Sequence, residues 1–388
     1  MDFNTGERGE LFRREVREFF AEHLTDEVRQ RVRETGTVHD WKLHRALGEK
    51  GWLAASWPVE YGGQEREASE MAAFYEEAAL AGAPFDGLLT TLIIANTIRH
   101  VGSDEQKREI IPPILRGEVL VALGYSEPGS GSDVASVRMR AVRDGDEWVI
   151  DGEKVFTTLA HESQYVILLT RTDPEVSKHA GLTMFLVPLD LPGIEIRPIH
   201  TLGGERTNST FYAGVRVHDR WRVGEVNGGW DVMGVALTFE RTVTGGKETV
   251  RLLERFVEWA REATDADGRP RLEEAPVREA IARTAIRNEV SYLLAQRANW
   301  VAASGGLPGV EGSQSRLFYT TRFQRTASEL MDVIGPEAVL DHNAEGAPAS
   351  GHIEHAHRHS QVGTIYGGTS EIQRGIIARR GLKLPSAR

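Results

Sequence analysis

The stretch from Gly124 to Thr158, GYSEPGSGSDVASVRMRAVRDGDEWVIDGEKVFTT, decides how the rest of the chain is read. It opens with a turn-prone run, Ser126-Glu127-Pro128-Gly129-Ser130-Gly131-Ser132-Asp133. Proline fixes one backbone angle, and glycine allows positive φ and a close approach of the main chain to a ligand. Such a loop offers backbone N–H groups and short hydroxyls to one polar object, although Gly/Ser/Pro runs are also ordinary surface turns. Alternation follows at Val137–Val142, then a turn at Asp144-Gly145-Asp146 and a strand at Glu147–Ile150. An Asp151-Gly152 turn is expected next, leading into a third strand at Lys154–Thr158, so the segment reads as a β-meander.

Outward from this stretch the period changes on both sides. From Glu10 to Gly117 the pattern is helical: Leu11, Val16, Phe19, Phe20 and Leu24 recur at helix spacing, and Ser103-Asp104-Glu105-Gln106 is a helix start with acidic groups at the positive end of the dipole. Between Val119 and Val223 short alternating runs are separated by Gly, Pro and Asp turns, which predicts a barrel or sandwich. Helical periodicity returns after Gly228. One long helix is expected over Trp230–Thr264, weakened at Gly245-Gly246 by about 1 kcal/mol per glycine relative to alanine. Further helices are expected at Val277–Ala303, Ser313–Ile334 and Thr364–Arg380. The expected fold is mainly α with an inserted β-domain: an N-terminal helical domain over 1–118, a middle β-barrel over 119–226 and a C-terminal helical bundle over 227–388.

Composition narrows the function classes. At 388 residues the chain is long enough for a large core and several sub-domains, and its net charge of −11 argues against a general nucleic-acid binder. With no cysteine there is no disulfide, thiolate nucleophile or cysteine-held metal. No apolar run reaches membrane-spanning length and Met1–Glu10 lacks a signal pattern, so a cytoplasmic protein is expected. His352, His355, His357 and His359 invite a metal site, but spacings of two scatter side chains over different helix faces, and a solvated loop is expected with no metal.

The wording of the opening stretch resembles the flavin-binding segment of the acyl-CoA dehydrogenase family. So do Pro58-Val59-Glu60-Tyr61-Gly62-Gly63, Asn227-Gly228-Gly229-Trp230, Phe239-Glu240-Arg241 and Tyr366-Gly367-Gly368-Thr369-Ser370-Glu371-Ile372-Gln373-Arg374. Each is weak alone; in this order and spacing they are specific and cover nearly the whole chain. The resemblance implies an FAD enzyme that turns an acyl-CoA, or a carrier-bound acyl thioester, into its 2,3-enoyl form. Electrons would pass to an electron-transfer flavoprotein or similar acceptor.

The resemblance also implies roles. Tyr125, Ser126, Gly131, Ser132, Phe156, Thr158, Thr369 and Glu371 stand at flavin-contacting positions, with Phe156 where Trp is common and Thr158 near N5. Many members carry the catalytic base as the Glu of Tyr-Glu-Gly-Thr; here that position is Gly367. A smaller branch, including the isovaleryl and long-chain dehydrogenases, carries it before an Arg on the first long helix after the β-domain, where this chain has Glu240-Arg241. Exposed Glu-Arg pairs are common on helices, but loss at one base position with presence at the other is coherent, so Glu240 is expected as base and Arg241 as its holder or that of the thioester end.

Two departures bear on assembly. The Arg-x-x-Phe-Gly motif that reaches a neighbour's FAD reads here as Thr264 to Leu272 without Phe-Gly, and Gln-x-x-Gly-Gly reads as Asp332-Val333-Ile334-Gly335-Pro336. Some actinobacterial steroid-catabolic members resolve such losses as α2β2 heterotetramers. The expectations are a homo-oligomer with a modified clamp or the base-bearing subunit of such a pair. The rivals are a flavin monooxygenase or oxidase on the same fold, which needs no base, and a non-catalytic partner subunit.

Overall fold

The computed structural model describes residues 6–242, 248–304 and 309–385; the side chains of residues 240–242, 302 and 303 lie outside that description. The N-terminal part is six helices: α1 (Gly6–His23), α2 (Asp26–Thr35), α3 (Trp41–Glu49), α4 (Ala68–Ala81), α5 (Asp86–Val101) and α6 (Asp104–Leu115). Apolar spacing on α1 buries Phe12, Val16, Phe19 and Phe20, while Leu11, expected on that stripe, is half exposed. The Phe12 ring meets Trp52 edge-on at 5.3 Å and stacks toward Phe74 of α4 at 6.3 Å, geometries that add to area burial. α6 begins as expected: Ser103 Oγ accepts from Gln106 N at 3.2 Å and Gln106 Oε1 accepts from Ser103 N at 3.0 Å, a reciprocal capping box. The same Gln106 amide donates to the carbonyls of Arg220 and Arg222 at 2.7 and 2.9 Å, tying the helix to the next layer. At Pro58–Gly63 the chain turns so tightly that a Cβ on Gly63 would sit 1.9 Å from the Trp57 carbonyl oxygen.

The barrel or sandwich expected in the middle is realised as one eight-stranded sheet. Its strands are β1 (Val121–Gly124), β2 (Arg140–Asp144), β3 (Glu147–Lys154), β4 (Tyr165–Arg171), β5 (Leu182–Pro188), β6 (Ile194–His200), β7 (Arg206–His218) and β8 (Arg222–Val223). The order is β6-β7-β3-β2-β4-β5-β8, with β1 added parallel to β4. β2 and β3 form the expected hairpin across Gly145-Asp146. The expected turn at Asp151-Gly152 is instead an irregularity inside β3, where the register with β7 slips between Ile150 and Gly152. A bulge re-aims a strand without ending it, so β3 runs on to Lys154, and Val155–Thr158 leaves the sheet where a third strand was expected. In β4 and β5 the runs Val166–Thr170 and Leu182–Val187 are wholly buried, the mark of strands covered on both faces. α5 covers β1 and the first C-terminal helix covers β5.

That helix is α7 (Gly229–Thr242), followed by α8 (Glu248–Glu262), α9 (Ala275–Ala303), α10 (Gly309–Ile334), α11 (His352–Gly363) and α12 (Ser370–Ile376). The single helix expected over Trp230–Thr264 is described as α7 and α8, and Gly245-Gly246 lies outside the described residues. The histidine-rich segment expected as a loop is helix α11. The last expected helix starts late because Gly367 and Gly368 hold φ of 61° and 88°, and Thr369 then caps α12 by accepting from Ile372 N at 3.3 Å. Among the described residues no helix is long and apolar enough to cross a membrane.

Two histidines near α3 carry a pH dependence. His39 and His44 are buried with ring centroids 5.0 Å apart. Neither ring nitrogen of His39, nor Nε2 of His44, has a hydrogen-bond partner. Burial, aided for His39 by His44 and Arg31 and for His44 by Arg45, pushes them down to about 3 and about 4 from 6.5. A base whose folded value lies below its unfolded value stabilises fully above the unfolded value and loses that stability on acidification. Tm is therefore expected to fall as pH drops from 6.5 toward 4. The His44→Gln variant should remove on the order of 3 kcal/mol of that decline. Thermal melts of the two proteins across this window check it; parallel slopes contradict it.

Candidate functional site

The Gly/Ser loop is anchored at both ends by one carboxylate. Glu127 Oε2 accepts from Arg138 N at 2.7 Å, and its Oε1 accepts from Met139 N at 2.9 Å and from Lys154 Nζ at 2.9 Å. Lys154 is fully buried and also donates to the Tyr125 carbonyl at 3.2 Å. Burial pushes its ammonium down to about 8, against the pull of Glu127. Ser126 O accepts from Val155 N at 2.9 Å, and Glu127 and Ser130 exchange backbone bonds at 2.9 and 3.0 Å. Between these anchors Gly129, Gly131 and Ser132 are exposed, and a Cβ on either glycine would meet nothing within 4 Å. The Ser130 hydroxyl, by contrast, is buried with no hydrogen-bond partner. An orphaned buried hydroxyl in an otherwise open loop suits a polar ligand.

The second wall is residues 155–161. Phe156 holds a left-handed φ of 58°, unusual for a bulky residue. It is fixed by its neighbours: Thr157 N donates to Asn208 O at 2.9 Å, and Asn208 Nδ2 donates to Thr157 O at 3.0 Å. Thr157 and Leu159 are buried, yet the Phe156 side chain between them is 62% exposed. Strain that the surroundings over-determine, holding an apolar ring outward, is a feature of ligand sites. Thr158 Oγ1 lies 3.1 Å from Thr207 Oγ1. The structure thus brings Tyr125, Ser126, Gly131, Ser132, Phe156 and Thr158 onto one pair of adjoining segments.

Thr369 and Glu371 line a separate cavity of about 290 Å³ with Thr321, Gln324, Thr364, Ile365, Ser370 and Arg374. Glu371 is exposed and pairs with Arg374 at 3.1 Å. The Ser370 hydroxyl in this cavity is buried without a partner. Above it, Gln373 Nε2 donates to the carbonyls of Gly367 and Gly368 at 3.2 Å each.

α5 and α7 pack against each other, α5 also on β1 and α7 on β5. Thr91 Oγ1 accepts from Val121 N at 2.9 Å, locking α5 to β1. The His100 ring of α5 lies 5.1 Å from Phe239 of α7. Of the apolar run on α5, Ile94, Ala95 and Ile98 are core, while Leu89, Leu92 and Asn96 stay partly exposed. Glu240 and Arg241 belong to the last turn of α7, and their side chains lie outside the described residues.

Two histidines of α11, His355 and His359, serve an ion pair. His359 Nδ1 and His355 Nε2 lie 2.6 and 3.6 Å from Glu205 Oε1. Burial disfavours that carboxylate, but the bonds from His355 and His359 outweigh it and hold Glu205 well below the usual range. Among the described residues no group of three His, Cys, Asp or Glu is placed to hold a metal. Sequence reasoning missed Glu127, Lys154, Ser130 and Asn208 as site builders. The first three stand inside the quoted motifs; Asn208 carries no such signal.

The two segments with altered motifs lie against each other. Thr264–Leu272 makes a tight hairpin with a bridge from Thr264 to Pro270. Arg269 is taken by Asp265 and Asp267 at 3.0 and 2.9 Å. Arg271 is taken by Glu274 at 2.9 Å and donates to the carbonyls of Val333 and Ile334 at 3.0 Å each. On α9, Ile286, Val290, Leu293 and Trp300 are exposed along one face.

Family models match three consecutive parts of the chain: the acyl-CoA dehydrogenase N-terminal domain over residues 6–118, the middle domain over 122–214 and the C-terminal domain over 227–382. The chain is 38% identical to acyl-CoA dehydrogenase FadE26 of Mycobacterium tuberculosis, covering 97% of each. It is 36% identical to acyl-CoA dehydrogenase IpdE1 of the same organism, covering 97% of this chain and 98% of that one. Among solved structures it resembles a chain of the ChsE4-ChsE5 complex from Mycobacterium tuberculosis, with TM-score 0.90 and 38% identity over the full length of both. A chain of the Tcur3481-Tcur3483 steroid ACAD matches with TM-score 0.91 and 36% identity, also over the full length of both. The chain belongs to the acyl-CoA dehydrogenase family and is an acyl-CoA dehydrogenase.

Proposed function

We propose that this enzyme carries out FAD-dependent α,β-dehydrogenation of an acyl-CoA thioester, with Glu240 removing the α-proton. The observation that carries the proposal is the pair of adjoining walls around Phe156: a loop clamped by Glu127 and Lys154, an orphaned Ser130 hydroxyl, and a backbone-locked aromatic ring held outward. Ser126, Gly131 and Ser132 would supply hydroxyl and N–H donors to the cofactor's polar edge, Phe156 an apolar face, and Thr158 a hydroxyl near N5. Tyr125 stands at the entry to the loop. Thr369 and Glu371, on their own cavity, would hold the more distant part of FAD. When bound, the flavin supplies the acceptor for the β-hydride. The chain's own work is to exclude water from one face, to hold the thioester across it, and to take the proton on a carboxylate, with Arg241 holding that carboxylate or the thioester end. Proton and hydride leave adjacent carbons, so a 2,3-double bond forms, and the two electrons would pass by way of the cofactor to an electron-transfer flavoprotein or similar acceptor.

A base on α7 accords with a branched or bulky acyl group, and the steroid ACAD neighbour supports a steroid-type thioester as the substrate class to try first. We also infer assembly with a second, related chain. Every guanidinium of the 264–272 hairpin is engaged by this chain's own acids or carbonyls. None is left for a neighbour's pyrophosphate, where an Arg fork matters most. The exposed stripe on α9 is apolar surface of the sort that assembly covers, and the ChsE4-ChsE5 neighbour is itself a complex of two chains.

Three outcomes are expected. Glu240→Gln keeps its flavin and loses flavin reduction by substrate about 10²–10⁴-fold; near wild-type bleaching in an anaerobic mix rejects Glu240 as base. Lys154→Met leaves the Glu127 carboxylate buried without its cation and costs about 3–5 kcal/mol, with flavin lost from the protein; Glu127→Gln in the same chain recovers part of the Tm but not the flavin. Expressed alone the chain is pale, and it turns yellow on co-expression with a related dehydrogenase subunit; stoichiometric FAD in the lone chain, counted after denaturation, rejects the heteromer.

A further inference from the structure

The turn that holds Phe156 outward is fixed through one amide. Asn208 of β7 is fully buried, and both its backbone and its side chain bond Thr157. Its Oδ1 accepts from Arg206 Nε at 3.2 Å, and its Nδ2 donates to Thr157 O at 3.0 Å. A guanidinium only donates and a carbonyl only accepts, so this amide has a single orientation. The other polar neighbour of Nδ2 is His161 Nδ1, 3.1 Å away.

That contact is a hydrogen bond only when Nδ1 is the acceptor, with the ring neutral and its proton on Nε2. The far side of the ring agrees, since Nε2 lies 3.0 Å from the Thr37 hydroxyl and donates to it. The charged groups that face the ring are Arg206 of β7 and Glu162 of its own segment, the latter 3.9 Å from Nε2. Glu162 is itself held by Trp41 Nε1 at 2.8 Å. Burial and Arg206 disfavour the imidazolium and outweigh Glu162, so the ring takes up its proton below the ordinary 6.5. Once Nδ1 carries a proton, two donors face each other, and the buried amide loses an acceptor. The seam with the N-terminal helices has its own bond here, Arg206 N to Gly36 O at 2.7 Å. Losing the His161 contact is therefore a local event. It falls on a segment in which Phe156 and Leu159 hold φ of 58° and 59°, and such backbone persists only while its surroundings enforce it.

We propose that His161 is a positioning residue for the cofactor wall: its neutral ring locks Asn208, and Asn208 locks the Thr157 carbonyl that sets Phe156 and Thr158. Protonating His161 frees the amide, relaxes the turn at Phe156 and weakens the hold on FAD. This rests on residues 156–158 forming a flavin wall. The neutral form is the one that binds, so affinity is full above 6.5 and falls on acidification, by up to about tenfold per pH unit for one coupled proton.

The test uses the full chain, with its partner chain if one is needed. Imidazole nitrogen chemical shifts of the flavin-free protein are expected to show His161 with Nδ1 bare and Nε2 protonated at neutral pH; a proton on Nδ1 overturns the proposal. The Kd for FAD is then followed by flavin fluorescence from pH about 7.5 to about 5.5 in wild type, H161N, H161Q and H161F. Wild type is expected to weaken about tenfold across this range. H161N, whose amide oxygen replaces Nδ1 without titrating, should bind tightly at both ends. H161Q, whose amide reaches Thr37 instead, and H161F should bind about tenfold more weakly throughout. The wild-type slope surviving in H161N, or full affinity in H161F, overturns the proposal. If H161F does not fold, the contrast between H161N and H161Q decides in the same way. FAD bound by none of these proteins rejects the flavin wall and this role with it, whereas FAD bound by all with one common slope rejects only the role of His161.

Discussion

The Lys154–Glu127 pair, its lysine fully buried and its charges 2.9 Å apart, is the contact on which the cofactor-facing side of this molecule depends. A buried ion pair is a weak source of stability, because desolvating both charges offsets their attraction. What it supplies here is register. One carboxylate satisfies the N–H groups of Arg138 and Met139 and the Lys154 ammonium, so the Gly/Ser loop, the approach to β2 and the end of β3 move as one body. A loop with glycines at 129 and 131 loses much backbone freedom when it closes on a ligand. Clamping it in advance removes part of that cost from binding. Phe156 follows directly, since its left-handed backbone begins two residues beyond the buried lysine and is locked from the other side by Asn208.

Much of this organisation was legible in the sequence, and the misses have physical reasons. The α6 capping box could be read because Ser103 and Gln106 are local partners. The β2–β3 hairpin could be read because Gly145 marks its turn. Asp151-Gly152 carries the same dipeptide signal, but there the long β7 strand continues alongside and absorbs the extra residue as a register slip. Local turn chemistry lost to tertiary pairing. α11 was hidden because its histidines look like a loop or a metal cluster; their partner, Glu205, is 154 residues away from His359. Within the candidate site, motif wording pointed to Ser126, Phe156 and Thr158. Lys154 and Glu127 stood in the same motifs without a role of their own, since nothing in a sequence says that a lysine is buried.

The places where this chain departs from its family's pattern differ in how their charges are left. In the 264–272 hairpin, each arginine has found a nearby acid or carbonyl, so the segment is electrostatically closed and has no reason to reach outward. Beside Gly367 the Arg316 guanidinium fills the volume that a side chain would need, and its Nε is buried without a hydrogen-bond partner.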